Sequence, residues 1–393
     1  MRHIQSALRR SFFILGFIIG ILIFASGCST LFGPDEEEDE DSIPIVGLGT
    51  LLVKSDSRWG GSCFLRGNGP AWSADCKEVF YCVEYFSEPM ESYVRRVDIE
   101  TKSNNDVAYF HGKRIYELSA SPNGEYVIFI VSSGGYGEGD DELVYVVRSP
   151  LYNDAVVLDS KVGTFMCPWY SGFRPVWSSD SRWLAFQELD STVSVYDMTI
   201  QQLAKSIHYN GVPLCFSLDG AELLIDPYTD TTYIQYDLGQ DTTSQLAITD
   251  EIGGVLDAYW DDTGIHLIYA SADVLWGKLV GITRYSIQTG TSISLELPSI
   301  DLSDWWHYMG SSPDYSKVAM VFEDREVFSD RQHLYLGDYQ SGEMKLIANS
   351  DHKDTHFAGV AFSPDGTRIA YLYQYTNDNP NIMADPNLYY QDL

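Results

Sequence analysis

Positive charge is scarce in this sequence of 393 residues: 25 Lys and Arg stand against 56 Asp and Glu, a formal net charge of −31. Nucleic-acid binding draws its affinity from Lys and Arg on phosphate, so this balance argues against a nucleic-acid partner. It argues equally against a protein that lies flat on anionic lipid. The apolar run Phe12 to Phe24 has 13 residues, short of the ~20 that a membrane-spanning helix needs. No Gly-x-Ser-x-Gly is present to carry a hydrolase nucleophile, and no glycine motif is present to cradle phosphate. Cysteine is sparse as well. Beyond Cys28 there are Cys63, Cys76, Cys82, Cys167 and Cys215. Their odd number leaves at least one thiol unpaired, and their spacing fits no zinc pattern. At most two disulfides are expected, with Cys63 and Cys76 as the local pair.

The N-terminus holds what the rest of the chain lacks. Arg2, Arg9 and Arg10 precede the apolar run, and Ala25-Ser26-Gly27-Cys28 follows it with small residues where a peptidase must fit the backbone. This segment resembles a bacterial lipoprotein signal. The resemblance implies removal of residues 1–27, a diacylglyceryl group on Cys28 and membrane attachment through that lipid, since two buried acyl chains suffice for stable anchoring. No other cofactor is expected. Residues 28–44 then form a tether containing the acidic run Asp35 to Asp41, which repels itself and stays extended. The expected location is the cell envelope, facing the periplasm or the outside. Ser29 lacks the Asp that marks inner-membrane retention in many Gram-negative bacteria.

From residue 45 onward one unit recurs. Its clearest copy is Val360-Ala361-Phe362-Ser363-Pro364-Asp365-Gly366-Thr367-Arg368-Ile369-Ala370-Tyr371. An apolar strand enters a turn in which Pro presets the backbone, Asp bonds its own chain and Gly takes a left-handed conformation. Further copies centre on Trp72-Ser73-Ala74-Asp75-Cys76, Ser121-Pro122-Asn123-Gly124, Trp177-Ser178-Ser179-Asp180-Ser181 and Phe216-Ser217-Leu218-Asp219-Gly220. Weaker ones are Trp260-Asp261-Asp262-Thr263-Gly264 and Ser312-Pro313-Asp314-Tyr315. At the glycine position the steps are 48, 57, 39, 44, 51 and 51 residues, near the ~40–50 of a four-stranded propeller blade. A third strand ending in Tyr-Asp or a relative of it follows, as at Tyr196-Asp197 and Tyr236-Asp237, and then a fourth, as at Met344 to Ile347.

These motifs resemble the TolB-type β-propeller repeat. The resemblance covers residues 45–393 and implies an all-β, seven-bladed propeller of four-stranded antiparallel blades. The chain ends on a third strand, Leu388 to Leu393, and Val46 to Val53 reads as a fourth. The ring is therefore expected to be closed by the N-terminal strand, which would remove an exposed edge. Cys76, Ser181 and Tyr315 replace the turn glycine, so the turns of those blades are expected to differ.

The links between blades and the loops between second and third strands emerge on one face. The links carry Trp59, Trp169, Tyr170, Trp305, Trp306 and His307; the loops carry acids, as at Glu138 to Glu142, Asp226 to Asp230 and Glu323 to Glu326. Aromatic faces and carboxylates on one rim suit recognition of a peptide or sugar. Glycines and acids over Gly134 to Glu142 lack the spacing of a calcium loop. The expected function is a non-enzymatic scaffold that binds an envelope protein, peptide or glycan; oligomeric state has no signature here. The alternative is a metal-dependent polysaccharide lyase. The repeats also resemble those of oligogalacturonate lyases, a resemblance that implies a central metal site and singles out His307, His352 and His356. Convergence of these on the central channel would favour the enzyme.

Overall fold

The computed structural model describes residues 47–54, 69–85, 91–132, 142–148, 156–159, 175–188, 192–209, 211–227, 232–248, 255–272, 279–295, 306–326, 329–349, 355–375 and 387–393. All of them belong to one compact unit, Ile45–Leu393. The signal segment, Cys28 and the acidic run lie outside the described residues.

The described residues form seven separate four-stranded antiparallel sheets. After β1 (Thr50–Val53), the first sheet comprises β2 (Ala71–Trp72), β3 (Glu78–Tyr85), β4 (Glu91–Asp98) and β5 (Asn104–His111). The second comprises β6 (Arg114–Ala120), β7 (Tyr126–Ser132), β8 (Glu142–Arg148) and β9 (Val156–Asp159). The third comprises β10 (Val176–Trp177), β11 (Trp183–Gln187), β12 (Val193–Asp197) and β13 (Gln202–Ile207). In the fourth are β14 (Val212–Phe216), β15 (Glu222–Asp226), β16 (Thr232–Asp237) and β17 (Thr242–Ala247). In the fifth are β18 (Val255–Asp261), β19 (Gly264–Ala272), β20 (Leu279–Ser286) and β21 (Thr291–Leu295). The sixth has β22 (Trp306–Ser311), β23 (Lys317–Glu326), β24 (Ser329–Asp338) and β25 (Glu343–Ala348). The last has β26 (Thr355–Phe362), β27 (Arg368–Tyr375) and β28 (Asn387–Asp392), with β1 on its outer edge.

The second strand of each sheet carries a mostly apolar stretch because both of its faces are buried there, and successive residues point to opposite neighbours. On β3, Phe80 and Cys82 pack toward Ile115, Val127 and Phe129 of the second sheet. Val79, Tyr81 and Val83 pack the other way, against Ala370 and Leu372 of the last. On β27, Ile369, Tyr371 and Tyr373 turn instead toward Ala319 and Val321 of the sixth sheet. This alternation repeats around the ring and places one hydrophobic core between each adjacent pair of sheets.

The expected closure needs correction. Among the described residues hydrogen bonding does not run from the last sheet into the first, so the sheets are not closed into a barrel; the N-terminal strand completes the last sheet as its fourth strand and does not bridge the two. β1 pairs only with β28, through Thr50↔Tyr390, Leu51↔Tyr389 and a bulge before Val53↔Leu388. It is also shorter than the expected Val46 to Val53. Side chains make the junction instead: the Val79–Ala370 core, Trp72 Nε1 donating to the Ala361 carbonyl at 3.0 Å, and Arg368 donating to the Cys76 carbonyl at 3.2 Å. Cys76, expected in a disulfide with Cys63, carries a free thiol, as do Cys82 and Cys215; Cys63 itself lies outside the described residues. Burial pushes the Cys76 thiol up and keeps it protonated.

The turns differ from expectation in the opposite sense: they are alike. In six sheets the turn serine is buried, and its Oγ accepts from the amide five residues on, as Ser178 does from Trp183 at 2.8 Å and Ser363 from Arg368 at 2.9 Å. The same Oγ donates to the Asp or Asn two residues on, 2.6 Å for both Ser178–Asp180 and Ser363–Asp365. The carboxylate then accepts the amide two residues beyond itself, as Asp180 does from Arg182 at 3.0 Å. Within this frame Cys76, Ser181 and Tyr315 take φ of 57°, 63° and 53°, beside 62° for Gly124 and 67° for Gly366. A left-handed conformation costs a side-chain-bearing residue about 1–2 kcal/mol, and here each side chain meets the preceding blade. Cys76 enters the core shared with the last sheet. Ser181 Oγ accepts from the Asn123 amide at 2.9 Å. Tyr315 stacks on Tyr259. At Gly124 the same direction is blocked, since a Cβ would stand 2.3 Å from the Ala74 nitrogen.

Hydrogen bonds from Ser363 and Thr367 hold the Asp365 carboxyl at about 2, below its ordinary 3.8. A depressed carboxyl contributes stability that is present above its unfolded value and lost as pH falls through its folded one. Asn123 fills the same place in the second sheet with its Oδ1 accepting the Glu125 amide, so Asp365→Asn keeps the geometry and removes only the charge. Urea midpoints should show the parent more stable than Asp365→Asn at neutral pH, with the gap shrinking between pH ~4 and ~2. A gap independent of pH would contradict this assignment.

Candidate functional site

The first strand of every sheet contributes to one cavity of about 680 Å³, which places β2, β6, β10, β14, β18, β22 and β26 innermost. Tryptophans span neighbouring inner strands: besides the Trp72–Ala361 bond, Trp177 Nε1 donates to Ser119 Oγ at 3.1 Å. The cavity reaches the Ser-x-Asp turns, for Pro122, Pro313 and Pro364 also line it. It thus extends to the turn face, opposite the links. The residue just before each turn is Trp72, Ala120, Trp177, Phe216, Trp260, Ser311 or Phe362, and all seven line the cavity. Five of them are aromatic, so the repeat itself builds an apolar belt around the axis.

Charge is confined to one side. Asp257 and Asp261 of β18 and Asp314 of the following turn line the cavity, and no Lys, Arg or His is among the described lining residues. Asp257 Oδ1 accepts from the Ala258 amide at 2.9 Å. Burial, and then the Asp257 charge, push the Cys215 thiol and the Tyr315 phenol above their ordinary ranges. Burial alone would raise Asp261. Hydrogen bonds from Thr263 and from His266 Nε2, the latter at 3.0 Å, outweigh it and leave the carboxyl below its ordinary value. At Asp314 burial is likewise outweighed by bonds from Ser312 and Ser316. Asp261 and Asp314 therefore stay ionised throughout the physiological range.

The fifth sheet replaces the turn serine with Asp261 and turns in two residues, Asp261↔Gly264 closing the hairpin. The Asp261–His266 pair stands where the other sheets have Ser-x-Asp. Its histidine anchors a stack of rings: Tyr259 lies 4.6 Å from His266 and 4.0 Å from Tyr315, both near parallel. Arg284 covers Tyr339 at 4.9 Å beside it. This stack ties the fifth sheet to the sixth at the acidic side of the cavity.

Of the residues expected at a site, Trp306 and His307 open β22, opposite Phe322 and Val321, at the far end of that strand from its cavity-lining residues. Trp59, Trp169, Tyr170 and Trp305 lie outside the described residues, as do His352 and the loop Gly134 to Asp141. His356 is the second residue of β26, opposite Gln374, on the inner strand that neighbours β22. Among the described residues no group of three His, Cys, Asp or Glu is placed to hold a metal ion. Glu323 to Glu326, expected as a loop, extend β23 and pair with Gln332 to Ser329. Asp257 and Trp260 were not singled out by the sequence. The usable signal was the aromatic residue that recurs immediately before the turn.

No known family's sequence profile matches this chain, and no curated protein matches it. Solved structures do share its fold. Oligogalacturonate lyase in complex with manganese superposes with a TM-score of 0.56 at 15% identity, covering 89% of this chain and 97% of that one. The C-terminal WD40 domain of Sif2 gives 0.54 at 12% identity, covering 88% and 99%. A chain of the mitotic checkpoint complex gives 0.51 at 14% identity, covering 92% and 98%. The chain is a β-propeller, sharing its fold with WD40 proteins. At such identities the likeness extends to fold alone, and such folds host many unrelated functions.

Proposed function

We propose that this chain is a non-enzymatic binding module of the cell envelope, a TolB-like propeller tethered by a lipid on Cys28, that holds a protein, peptide or glycan. The observation that carries this reading is the axial cavity of about 680 Å³, to which every blade contributes and around which five aromatic residues recur. Its size lies in the range of ligand sites, ~300–1,000 Å³. The lipoprotein-like signal and the acidic tether support the location. The rim of the link face, with Trp59, Trp169, Tyr170, Trp305, Trp306 and His307, remains the competing binding surface. Affinity capture from envelope extracts with the full chain separates the two. Trp260→Ala should lose the captured partner, while Trp169, Trp305 and Trp306 replaced together by Ala should keep it. The reverse pattern would move the site to the link face, and capture by neither the parent nor a variant would refute the module.

One observation favours a second reading, a metal-dependent polysaccharide lyase: His307 and His356 lie on neighbouring inner strands. Manganese retained through gel filtration, together with ultraviolet absorbance from an unsaturated uronate product, would support it.

A further inference from the structure

We propose that the outer edge of the fourth sheet, β17, is an interface at which a second copy of this chain adds its own β17 antiparallel; this stands independently of the cavity. Each sheet presents its outermost strand as an edge, and an unprotected edge is a template for another strand. The seven repeats supply their own comparison. β1, β5, β9, β13 and β25 each meet their neighbour through a register shift, and a bulge twists an edge away from further pairing. β5, β9 and β13 also carry Asp106, Asp159 and Lys205, and β25 carries Glu343 and Lys345; charged side chains blunt an edge in the same way. β17 has neither device. Its pairing with β16 runs unbroken from Asp237↔Thr242 to Thr232↔Ala247. Its sequence, Thr-Thr-Ser-Gln-Leu-Ala, has no charge and no proline, and every residue but Leu246 is exposed. Among the described residues no strand lies against its outer side. β21 of the next sheet shares these traits but is shorter.

Charge selects the occupant. With a net charge of −31, two copies repel one another over most of their surface. At β17 they bring together Thr, Ser and Gln, side chains that pair across strands without like-charge cost. The acid beside the strand, Asp241, is held by the Tyr236 hydroxyl and by Lys205 of the third sheet at 3.5 Å. A two-fold axis through β17 satisfies both edges with one self-complementary contact. It joins two four-stranded sheets into one. One strand pair is smaller than the ~1,200 Å² of a standard interface, so the dimer is a weak one that assembles over the micromolar range.

The test is sedimentation velocity of the full chain from ~1 to ~100 μM, with detergent micelles in excess so that two chains do not share one. The parent should pass from monomer to dimer across that range. Thr243→Glu together with Gln245→Glu sets like charges against one another on the paired edge. It should weaken the dimer by about tenfold or more, with an unchanged thermal midpoint because both side chains are exposed. Ser103→Glu together with Asn105→Glu adds the same charge at the exposed edge of the first sheet and should leave dimerisation as in the parent. Hydrogen exchange of the parent, which needs no variant, should slow in Thr242 to Ala247 as concentration rises. A parent that stays monomeric throughout would overturn the proposal. So would equal losses in the two double variants, a β17 variant that dimerises like the parent, or exchange at β17 that ignores concentration.

Discussion

Replacing Ser178 with alanine is expected to destabilise the protein by about 2–3 kcal/mol, and Ser363→Ala by only about 1–2 kcal/mol. Both serines are fully buried, and each holds the amide that opens the next strand. Removing the hydroxyl strands that amide, a cost of about 1–3 kcal/mol when water cannot reach it. The difference lies three residues on. The Ser363 turn ends on Gly366, which is at ease at positive φ, whereas the Ser178 turn ends on Ser181, held at φ 63°. Without the frame, nothing offsets that strain, and the bond from the Asn123 amide to Ser181 Oγ across to the second sheet loosens as well. Chemical-denaturation midpoints compare the two directly. Equal losses would mean that the serine frame does not restrain the left-handed residue.

Tyr315→Gly is expected to cost about 1–3 kcal/mol even though glycine is the residue that the turn geometry prefers. Relief of the left-handed conformation returns about 1–2 kcal/mol. Truncating a large buried aromatic costs about 3–5 kcal/mol, toward the lower end here because the ring is only partly buried. Its stack on Tyr259, 4.0 Å between centroids, is worth about 0.5–1.5 kcal/mol beyond area. The side chain outweighs the backbone. At Cys76 the two terms are nearly equal, because a small thiol contributes little to the core, so Cys76→Gly should be close to neutral. If the tyrosine variant proved as stable as the parent, the reading of these residues as blade-to-blade contacts would be wrong.

Much of the fold was legible because the turn chemistry repeats. A buried serine, an acceptor two residues on and a left-handed residue after it make a local solution that needs no distant partner, so sequence spacing reveals it. The Tyr-Asp ending is equally local: Asp237 and Asp338 each accept amides two and three residues ahead. What depended on contacts between blades was misread. Cys76, Ser181 and Tyr315 looked like departures because the neighbour each side chain meets is distant in sequence or hidden in another turn. Closure looked like a matter of strand pairing, whereas the packing of β27 against β3 joins residues some 290 apart. The cavity was hidden for the same reason. Tryptophans in the links drew the eye, while the cavity is assembled one residue per blade, and Asp257 sits in the most divergent repeat.

The central claim, that the axial cavity is where the partner is held, is tested most directly by hydrogen exchange of the full chain with and without the partner captured from envelope extracts. The account predicts added protection in Leu256 to Asp261 and Gly310 to Tyr315, with the outer strands β13, β17 and β25 unchanged. Protection confined to outer strands, or to the ends of the inner strands nearest the links, would contradict it.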